Sequence, residues 1–216
     1  MKLKVCGLSN PIEVDTCVSH HVDYCGFILN YPKSHRYISL EKAKKLTNIN
    51  KGNTKYVGVL VNPTEEELIT FSKLNLDYFQ LYGNYDSNKL KKLKEKLKEK
   101  FKKKIITTIQ VKNKDDVNKY KLVESESDII LWDSTGYEES LSWDYNWLKS
   151  IPVKTEKMIA GNITIDKLEN LVELADIVDV SGALETNKVK DINKIKKFTN
   201  KIKIINNANK KKYSFN

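Results

Sequence analysis

Short β-like runs and amphipathic helical segments alternate from one end of the 216-residue chain to the other. Alternating apolar patterns predict eight strands, at Lys2–Cys6, Tyr24–Leu29, Lys55–Val61, Tyr78–Tyr82, Lys104–Gln110, Asp128–Asp133, Lys157–Ala160 and Ile177–Ser181. Helical patterns predict eight further segments, at Ile12–His20, Ser39–Leu46, Thr64–Leu74, Ser87–Phe101, Asp115–Glu124, Tyr145–Lys149, Thr164–Leu174 and Val189–Lys203. Ser39, Thr64 and Thr164 are suitable N-caps for three of them.

Such repeated β–α units indicate a parallel sheet that is covered by its crossover helices. Eight units in a chain of this length favour closure into a single-domain (β/α)8 TIM barrel over an open doubly wound sheet. We expect the barrel to span residues 1–205 and residues 206–216 to form a frayed tail. The nucleotide-binding patterns GxGxxG and GxxxxGK[ST] are missing from the sequence, which counts further against a nucleotide-binding open sheet.

Composition restricts the class of protein. The sequence has no run of about 18 consecutive apolar residues, so we expect no membrane-spanning helix and no membrane partner. It begins in strand-like residues without an apolar signal core. Cys6, Cys17 and Cys25 are too few, and odd in number, for a disulfide framework. We therefore expect a cytoplasmic protein with free thiols.

The positive residues behind the formal charge of +10 are concentrated in one segment, Leu90–Lys104. Leu90, Leu93, Leu97 and Phe101 recur there at helical spacing, which predicts a helix with one narrow buried stripe. Its lysines suit either a solvated face or a polyanion-binding surface. Because arginine and aromatic residues are not interleaved with the lysines, the solvated face is favoured and no specific nucleic-acid partner is expected.

Within the predicted strands, one face is apolar and the other collects polar side chains. Counting by twos places on that polar face Lys4, Cys6, Gln80, Tyr82, Asp133 and Asp179. Buried polar groups must be paired, and closure of a barrel makes its first and last strands neighbours. We therefore predict an ion pair between Lys4 and Asp179 across the closing seam.

Chemistry in such barrels is located at the carboxyl ends of the strands. Cys6 and Asp133 are titratable groups at two of these ends, and Arg36 follows the second strand. Gly161 and Gly182 follow strands seven and eight, whose loops form the usual phosphate site of these barrels. The pattern predicts a site for a phosphorylated small molecule, with a thiol, a carboxyl group and a guanidinium around it.

These residues belong to stretches that occur in a characteristic order, namely "KVCGLSN", "YPKSHRYIS", "VGVLVN", "DYFQLYGN", "LWDS", "IAGN" and "DVSGALETNKVKDINKIKKF". Together they cover nearly the whole chain, and they closely resemble the phosphoribosylanthranilate isomerases of tryptophan biosynthesis. The C-terminal stretch resembles fungal members especially. The resemblance implies a TIM barrel that catalyses an Amadori rearrangement of an N-glycosylated anthranilate carrying ribose 5-phosphate, with no metal and no organic cofactor.

The resemblance also implies roles for particular residues. Asp133 matches the general acid that protonates the ring oxygen, and Cys6 matches the general base that removes the C2 proton. Arg36 matches the group that binds the anthranilate carboxylate. The remaining matches are Asp179 and Gln80 for substrate binding, and Gly161, Asn162, Ser181 and Gly182 for phosphate binding.

Both proposed catalysts need a shifted pKa. A thiol with its usual pKa of about 8.5 is only a few per cent ionised at neutral pH, so we expect nearby positive charge, with Lys4 as a candidate, to lower the pKa of Cys6. Asp133 must be protonated to act as an acid. We therefore expect desolvation or neighbouring anions to raise its pKa well above about 3.9.

The chain departs from the family pattern in three loops. Tyr137 and Glu138 stand near an expected glycine pair in the sixth loop, and Tyr145 replaces a tryptophan. Asn162 and Ala183 occupy glycine positions in the seventh and eighth loops. Since glycine permits positive φ and close approach to phosphate, we expect any effect on phosphate affinity and loop closure rather than on the acid–base pair. Asn tolerates the left-handed region better than Ala.

Four functions remain open from the sequence. An active isomerase is favoured, and the alternatives are a catalytically impaired barrel that binds phosphorylated sugars and a polyanion-binding protein that uses Leu90–Lys104. A related sugar isomerase of histidine biosynthesis is disfavoured, because it has an acidic residue where this chain has Cys6. The expected partner is a small-molecule substrate, and the expected oligomeric state is a monomer or a homodimer.

Overall fold

A computed structural model describes the backbone of residues 1–135 and 141–213, and the side chains of these residues apart from 96–101 and 210–213. Eight parallel strands form a closed barrel in chain order. The strands are β1 Lys2–Cys6, β2 Tyr24–Ile28, β3 Lys55–Val61, β4 Tyr78–Tyr82, β5 Lys104–Val111, β6 Ile129–Ser134, β7 Glu156–Ile159 and β8 Ile177–Val180. The (β/α)8 fold predicted from the sequence is therefore confirmed.

Helices follow most of the strands. The α-helices are α1 Pro11–Ser19, α2 Leu40–Thr47, α3 Glu65–Ser72, α4 Ser87–Phe101, α5 Leu168–Leu171 and α6 Ile192–Tyr213. Three of the predicted helical segments contain short 3-10 helices, at Lys114–Leu122, Tyr145–Leu148 and Ile165–Lys167. The first of these segments is rich in Asp, Asn and Lys, and the other two are only one turn long, so a continuous α-helix is not favoured there.

The predicted N-caps have two different outcomes. The Ser39 hydroxyl accepts from the Lys42 backbone N–H, and Thr64 forms a reciprocal capping box with Glu67. Thr164, by contrast, makes no side-chain cap before its 3-10 turn. Helices α2 and α3 therefore start where their sequences predict.

The segment after β8 differs from the prediction. Val189 was expected to begin the last helix, but Val189–Lys190 forms a strand, β10, antiparallel to β9 at Glu185–Thr186. Asn187 and Lys188 connect the two strands with φ of 52° and 63°, as in a tight primed hairpin turn. The last helix, α6, therefore begins only at Ile192.

The carboxyl-terminal helix passes the predicted barrel boundary at residue 205. Residues 206–213, which we expected to be frayed, continue α6, while residues 214–216 lie outside the described part. Asn206 accepts a hydrogen bond from the Met1 ammonium at 2.9 Å and donates one to the Met1 carbonyl at 2.9 Å. These bonds attach the helix to the start of β1.

The strand faces divide as the sequence predicts. Leu3 and Val5 of β1, and Val178 and Val180 of β8, belong to the large core between barrel and helices. A second cluster of apolar side chains fills the interior and includes Tyr24, Tyr78, Ile106, Leu131, Met158 and Ile177. Polar residues occupy the interior near the carboxyl ends of the strands. The interior is thus apolar toward one end and polar toward the other.

The lysine-rich segment is helix α4. Leu90 is fully buried and Leu93 packs at the edge of the core, whereas the side chains of Leu97 and Phe101 lie outside the described part. Lys91 and Lys92 are exposed, as a solvated outer face requires. Among the described helices, none combines the length and the apolar character that crossing a membrane requires.

Candidate active site

A cavity of about 820 Å³, counting its open mouth, lies at the carboxyl ends of the strands. Its lining contains the following residues that the sequence singled out: Cys6, Arg36, Asp133, Gly161, Asn162, Asp179, Ser181 and Gly182. These side chains and loops come from strands one, two, six, seven and eight. Barrel closure therefore brings the thiol, the carboxyl group and the guanidinium to one cavity, as the strand-end argument predicted.

On the β1–β8 side, Lys4 and Asp179 are direct register partners. The Lys4 Nζ donates to Asp179 Oδ2 at 2.7 Å, and the lysine is fully buried. The predicted ion pair is therefore confirmed. The Cys6 side chain stands two residues further along the same face, where the Lys4 ammonium acts on it electrostatically. The ammonium thus bonds the carboxylate and also influences the thiol.

Gly26 on β2 leaves room for the Cys6 thiol and the Lys4 ammonium. A Cβ atom at this position would lie 2.9 Å from Cys6 Sγ and 3.1 Å from Lys4 Nζ. Any larger residue would therefore displace the thiol or the ammonium. Gly26 could not be selected from the sequence, because a glycine inside a strand does not reveal which side chains face it.

Burial raises the pKa of the Cys6 thiol, and the Lys4 ammonium opposes this effect without overcoming it. The expectation that the pKa of Cys6 would be lowered is therefore wrong for the cavity without a ligand. Burial lowers the pKa of Lys4, but Asp179 and Cys6 more than compensate, so it lies above its usual value. Lys4 is accordingly a permanent cation beside a protonated thiol.

On the β4–β6 side, Asp133 accepts a hydrogen bond from Tyr82 Oη to Oδ2 at 2.7 Å. Its Oδ1 accepts from the Ser134 backbone N–H at 2.8 Å. Burial raises the pKa of Asp133 to about 6, in spite of the Tyr82 bond, and the Asp179 charge adds to the rise. The direction agrees with the expectation for a carboxyl group that donates a proton.

Gln80 does not line the cavity. It is fully buried on β4, two residues before Tyr82 and on the same face, and its Nε2 donates to Tyr82 Oη at 3.2 Å. Its predicted place in a ligand-binding surface is therefore corrected, because the tilt and stagger of the strands put Tyr82 at the cavity floor instead. Gln80 supports the side chain that contacts Asp133.

Arg36 forms a bidentate pair with Glu185, with Nε to Oε1 at 2.6 Å and Nη2 to Oε2 at 3.0 Å. Gly7 makes room for it, since a Cβ atom at residue 7 would lie 2.5 Å from the Arg36 Cδ. Gly7 also has a φ of +78°, which favours glycine. The glycine after Cys6 thus serves the arginine rather than the thiol.

The loops after β6 and β7 contact each other at the cavity rim. The Tyr145 hydroxyl donates to the Gly161 carbonyl, and Trp143 Nε1 donates to the Ala160 carbonyl at 2.9 Å. Gly161 has a φ of +100°, and a Cβ atom there would lie 2.9 Å from the Leu141 carbonyl oxygen. The close packing of these two loops therefore requires glycine at residue 161.

A family model described as N-(5'-phosphoribosyl)anthranilate isomerase matches residues 3–201 of the chain. The chain belongs to this isomerase family. The isomerase of Streptococcus mutans serotype c is 36% identical over 205 residues, which cover 94% of this chain and 98% of that protein. This relative is bacterial, whereas the C-terminal motif had suggested a special likeness to fungal members.

Two solved isomerase structures have the same fold as the chain. The crystal structure of the Thermotoga maritima isomerase has a TM-score of 0.79 at 27% identity and covers 94% of this chain and 98% of its own. A second crystal structure, of an isomerase in complex with reduced 1-(o-carboxyphenylamino)-1-deoxyribulose 5-phosphate, has a TM-score of 0.78 at 25% identity, with the same coverage.

The departures of this family member in loops seven and eight cause no visible backbone strain. Asn162 takes the left-handed conformation with a φ of 46°, as we expected of an asparagine that stands in place of glycine. Ala183 lies within the 3-10 turn Gly182–Leu184, where any residue is tolerated. Tyr137 and Glu138 fall outside the described residues.

Besides Gly26, three further residues of the site were not selected from the sequence. Tyr82 had been placed on the correct face but was not chosen, although a tyrosine at a strand end is a visible signal. Glu185 and Lys190 were missed because their segment was assigned to a loop and a helix. The two-residue turn between them, in "ETNKVK", was the available signal.

Metal binding has no obvious place in the described residues. No group of three or more His, Cys, Asp or Glu side chains comes together there in a way that could hold an ion.

Proposed function

We propose that the chain isomerises N-(5'-phosphoribosyl)anthranilate to 1-(2-carboxyphenylamino)-1-deoxyribulose 5-phosphate, with Cys6 as general base and Asp133 as general acid. The observation that carries the proposal is that both groups line one cavity with Arg36 and the loops after β7 and β8. Family membership supports the substrate.

In the first step, Asp133 donates its proton to the furanose oxygen, and the bond from that oxygen to C1 breaks. The nitrogen lone pair moves to C1 and forms an iminium ion. A pKa of about 6 keeps a usable fraction of Asp133 protonated near neutral pH, which an ordinary aspartate would not provide. Tyr82 holds the carboxyl group in place and stabilises the anion that remains.

In the second step, the ionised Cys6 removes the C2 proton. The electron pair of the broken C2–H bond forms the C1–C2 double bond of an enolamine, and the π pair of the iminium returns to nitrogen and neutralises it. The enolamine then gains a proton at C1 and loses the proton of its hydroxyl, which gives the ketone. Burial opposes ionisation of Cys6, so the Lys4 ammonium is needed to stabilise the thiolate. The sequence is an isomerisation that balances without an added oxidant or reductant.

Arg36 is proposed to receive the anthranilate carboxylate, since a guanidinium suits bidentate carboxylate binding. Gly161, Asn162, Ser181 and Gly182 are proposed to bind the phosphate, and all four line the cavity. Asp179 is proposed to organise the site through Lys4. Cytoplasmic location and the choice between monomer and homodimer stay predictions.

Turnover tests this proposal. Phosphoribosylanthranilate is generated in situ and the loss of its fluorescence is followed. Wild type should convert it, whereas Cys6→Ala and Asp133→Asn should each lower kcat by roughly 10²–10⁴-fold, the usual contribution of general acid–base catalysis. Cys17→Ala, at a buried thiol outside the cavity, and Asp15→Asn, at an exposed carboxylate, are the matched controls.

Other outcomes support the alternative functions. Binding of the reduced product without turnover would identify a sugar-phosphate-binding barrel. Salt-sensitive DNA binding without sugar-phosphate binding would identify a polyanion-binding protein that uses helix α4. Turnover that survives both substitutions would overturn the roles of Cys6 and Asp133.

A further inference from the structure

Arg36 is held by a carboxylate that the mechanism above does not use. Glu185 bonds its Nε and Nη2 atoms, and the two side chains are only 9% and 8% exposed. Such a two-bond pair fixes the plane and direction of a guanidinium more strictly than one bond does. The arginine that lines the cavity therefore has a defined orientation before any ligand arrives.

Besides Arg36, two side chains lie against the Glu185 carboxylate, namely Lys190 and His35, whose Nε2 is 3.2 Å from Oε2. The ammonium of Lys190, whose side chain is 2% exposed, pairs with its carboxylate, and the hairpin β9–β10 places the two residues directly opposite each other. Burial raises the pKa of Glu185, but Arg36 and Lys190 outweigh it and lower the pKa to about 2. Glu185 is therefore ionised at any pH at which the protein functions.

Lys190 continues the network toward the catalytic strand. Its Nζ donates to Ser181 Oγ at 3.2 Å, and Ser181 Oγ donates to the Cys6 carbonyl at 3.0 Å. Hydrogen bonds and ion pairs thus connect Arg36 with the end of β1. The guanidinium is positioned relative to the strand that carries the proposed base.

The charges of the network leave Arg36 able to attract an anion. Arg36 and Lys190 carry two positive charges and Glu185 one negative charge, so these three residues together keep one positive charge. Without Lys190, the carboxylate would neutralise the guanidinium that it orients. Lys190 therefore offsets the negative charge of Glu185, so that Glu185 can orient the Arg36 guanidinium without cancelling its positive charge.

From this geometry we infer that Glu185 is a positioning residue that sets the preference of the site for a ligand with an aromatic carboxylate, by fixing the direction of the Arg36 guanidinium. The inference rests on the proposed function, in which Arg36 receives that carboxylate. Glu185 itself is not part of the cavity lining and acts through Arg36.

Calorimetric binding of two ligands tests the inference. One is the reduced product, reduced 1-(o-carboxyphenylamino)-1-deoxyribulose 5-phosphate, and the other is the same molecule without its carboxyl group. The ratio of their Kd values measures carboxylate preference without any need for turnover. In Glu185→Gln, an amide N–H faces an arginine N–H donor, so one of the two bonds is lost. The same change removes a negative charge beside Arg36, which favours anion binding, so a loss of carboxylate preference is due to lost orientation and not to charge.

We expect Glu185→Gln to lower the carboxylate preference by roughly tenfold or more, the usual worth of a hydrogen bond to a charged group, and to leave the Kd of the decarboxylated ligand within about twofold. Arg36→Met should lower the preference similarly, and the double variant should add little, because both changes act on one contact. Glu41→Gln, in an exposed ion pair with Lys44, is the matched control.

An unchanged preference in Glu185→Gln, an equal weakening of both ligands, or a wild type without any preference would overturn the inference. Should Glu185→Gln not fold, Glu185→Asp makes the same comparison, since it keeps the charge and shortens its reach. Failure of the proposed function is distinguishable, because it would be a wild type that binds the reduced product and does not convert phosphoribosylanthranilate.

Discussion

Burial has the same effect on the proposed acid and the proposed base at the two sides of the cavity, but it assists one role and opposes the other. On the β4–β6 side, burial raises the pKa of Asp133 to about 6, which favours the protonated form that an acid needs. On the β1–β8 side, burial raises the pKa of Cys6, which disfavours the thiolate that a base needs. The direction is the same because a low-dielectric site favours the neutral form of both groups, and the neutral form suits an acid but not a base.

The surroundings of the two groups compensate accordingly. Asp133 needs only a neutral hydrogen-bond donor, Tyr82, to hold it. Cys6 needs a fully buried ammonium, and that ammonium in turn needs the Asp179 carboxylate. The β1–β8 side, which carries the base, therefore contains buried charges, whereas the β4–β6 side, which carries the acid, contains neutral hydrogen-bond donors. Substitutions on the β1–β8 side should lower the free energy of unfolding by more.

The largest effect is expected for Lys4→Met. It leaves the Asp179 carboxylate buried without its partner, so the free energy of unfolding should fall by about 3–5 kcal/mol. Alkylation of Cys6 by iodoacetamide should also require a higher pH, since the cation that stabilises the thiolate is gone. Urea unfolding and mass spectrometry of the Cys6 peptide measure the two effects.

The double variant Lys4→Met/Asp179→Leu separates stability from reactivity. It should recover much of the stability, because an apolar pair replaces the ionic one, while Cys6 stays less reactive than in wild type. An alkylation midpoint in Lys4→Met equal to that of wild type would contradict the role given to the ammonium.

Gly26→Ala should have the next largest effect. The added Cβ would lie 2.9 Å from Cys6 Sγ, so we expect overpacking to lower the free energy of unfolding by about 1–3 kcal/mol. Combining it with Cys6→Ala should cost less than the sum of the single changes, because the sulfur atom is removed. Strictly additive losses in urea unfolding would show that Gly26 does not make room for the thiol.

The acid side predicts a pH-dependent stability. Folding raises the pKa of Asp133 from about 3.9 to about 6, so the folded state binds more protons between these values and its stability falls as pH rises through them. Asp133→Asn lacks this loss. The free energy of unfolding of Asp133→Asn, relative to that of wild type, should therefore rise by about 2 kcal/mol between pH 4 and pH 7. A pH-independent difference in urea unfolding would contradict the shift.

The smallest effect is expected for Tyr82→Phe. Loss of the Tyr82 bond removes an interaction that favours the carboxylate, so the pKa of Asp133 should rise by roughly one unit further. Infrared difference titration of the protonated carboxyl band, assigned with Asp133→Asn, measures this. Tyr78→Phe, at a buried tyrosine in the lower interior, should leave the band unchanged.

The sequence predicted those features that depend on periodicity and strand order. Eight β–α units gave the barrel, and the two-residue period together with closure gave the Lys4–Asp179 pair. It did not predict which polar layer reaches the cavity, so Gln80 was placed too high on β4, since that height depends on barrel stagger.

Tight turns and pairs of residues far apart in the chain could not be predicted from the sequence pattern either. The hairpin at Glu185–Lys190 was missed because Lys188, rather than glycine, occupies a positive-φ position of its turn. Arg36 and Glu185 are 149 residues apart, and no local pattern connects them. Pairing of this kind follows from the closed fold.

The contrast between the two sides is tested most directly by titrating both groups in one sample, with ¹³C-labelled Asp and Cys followed by NMR and assigned with Asp133→Asn and Cys6→Ala. The account predicts an Asp133 midpoint near pH 6 and a Cys6 midpoint above the usual value of about 8.5. An Asp133 midpoint near the ordinary value of about 3.9, or a Cys6 midpoint below about 8.5, would contradict it.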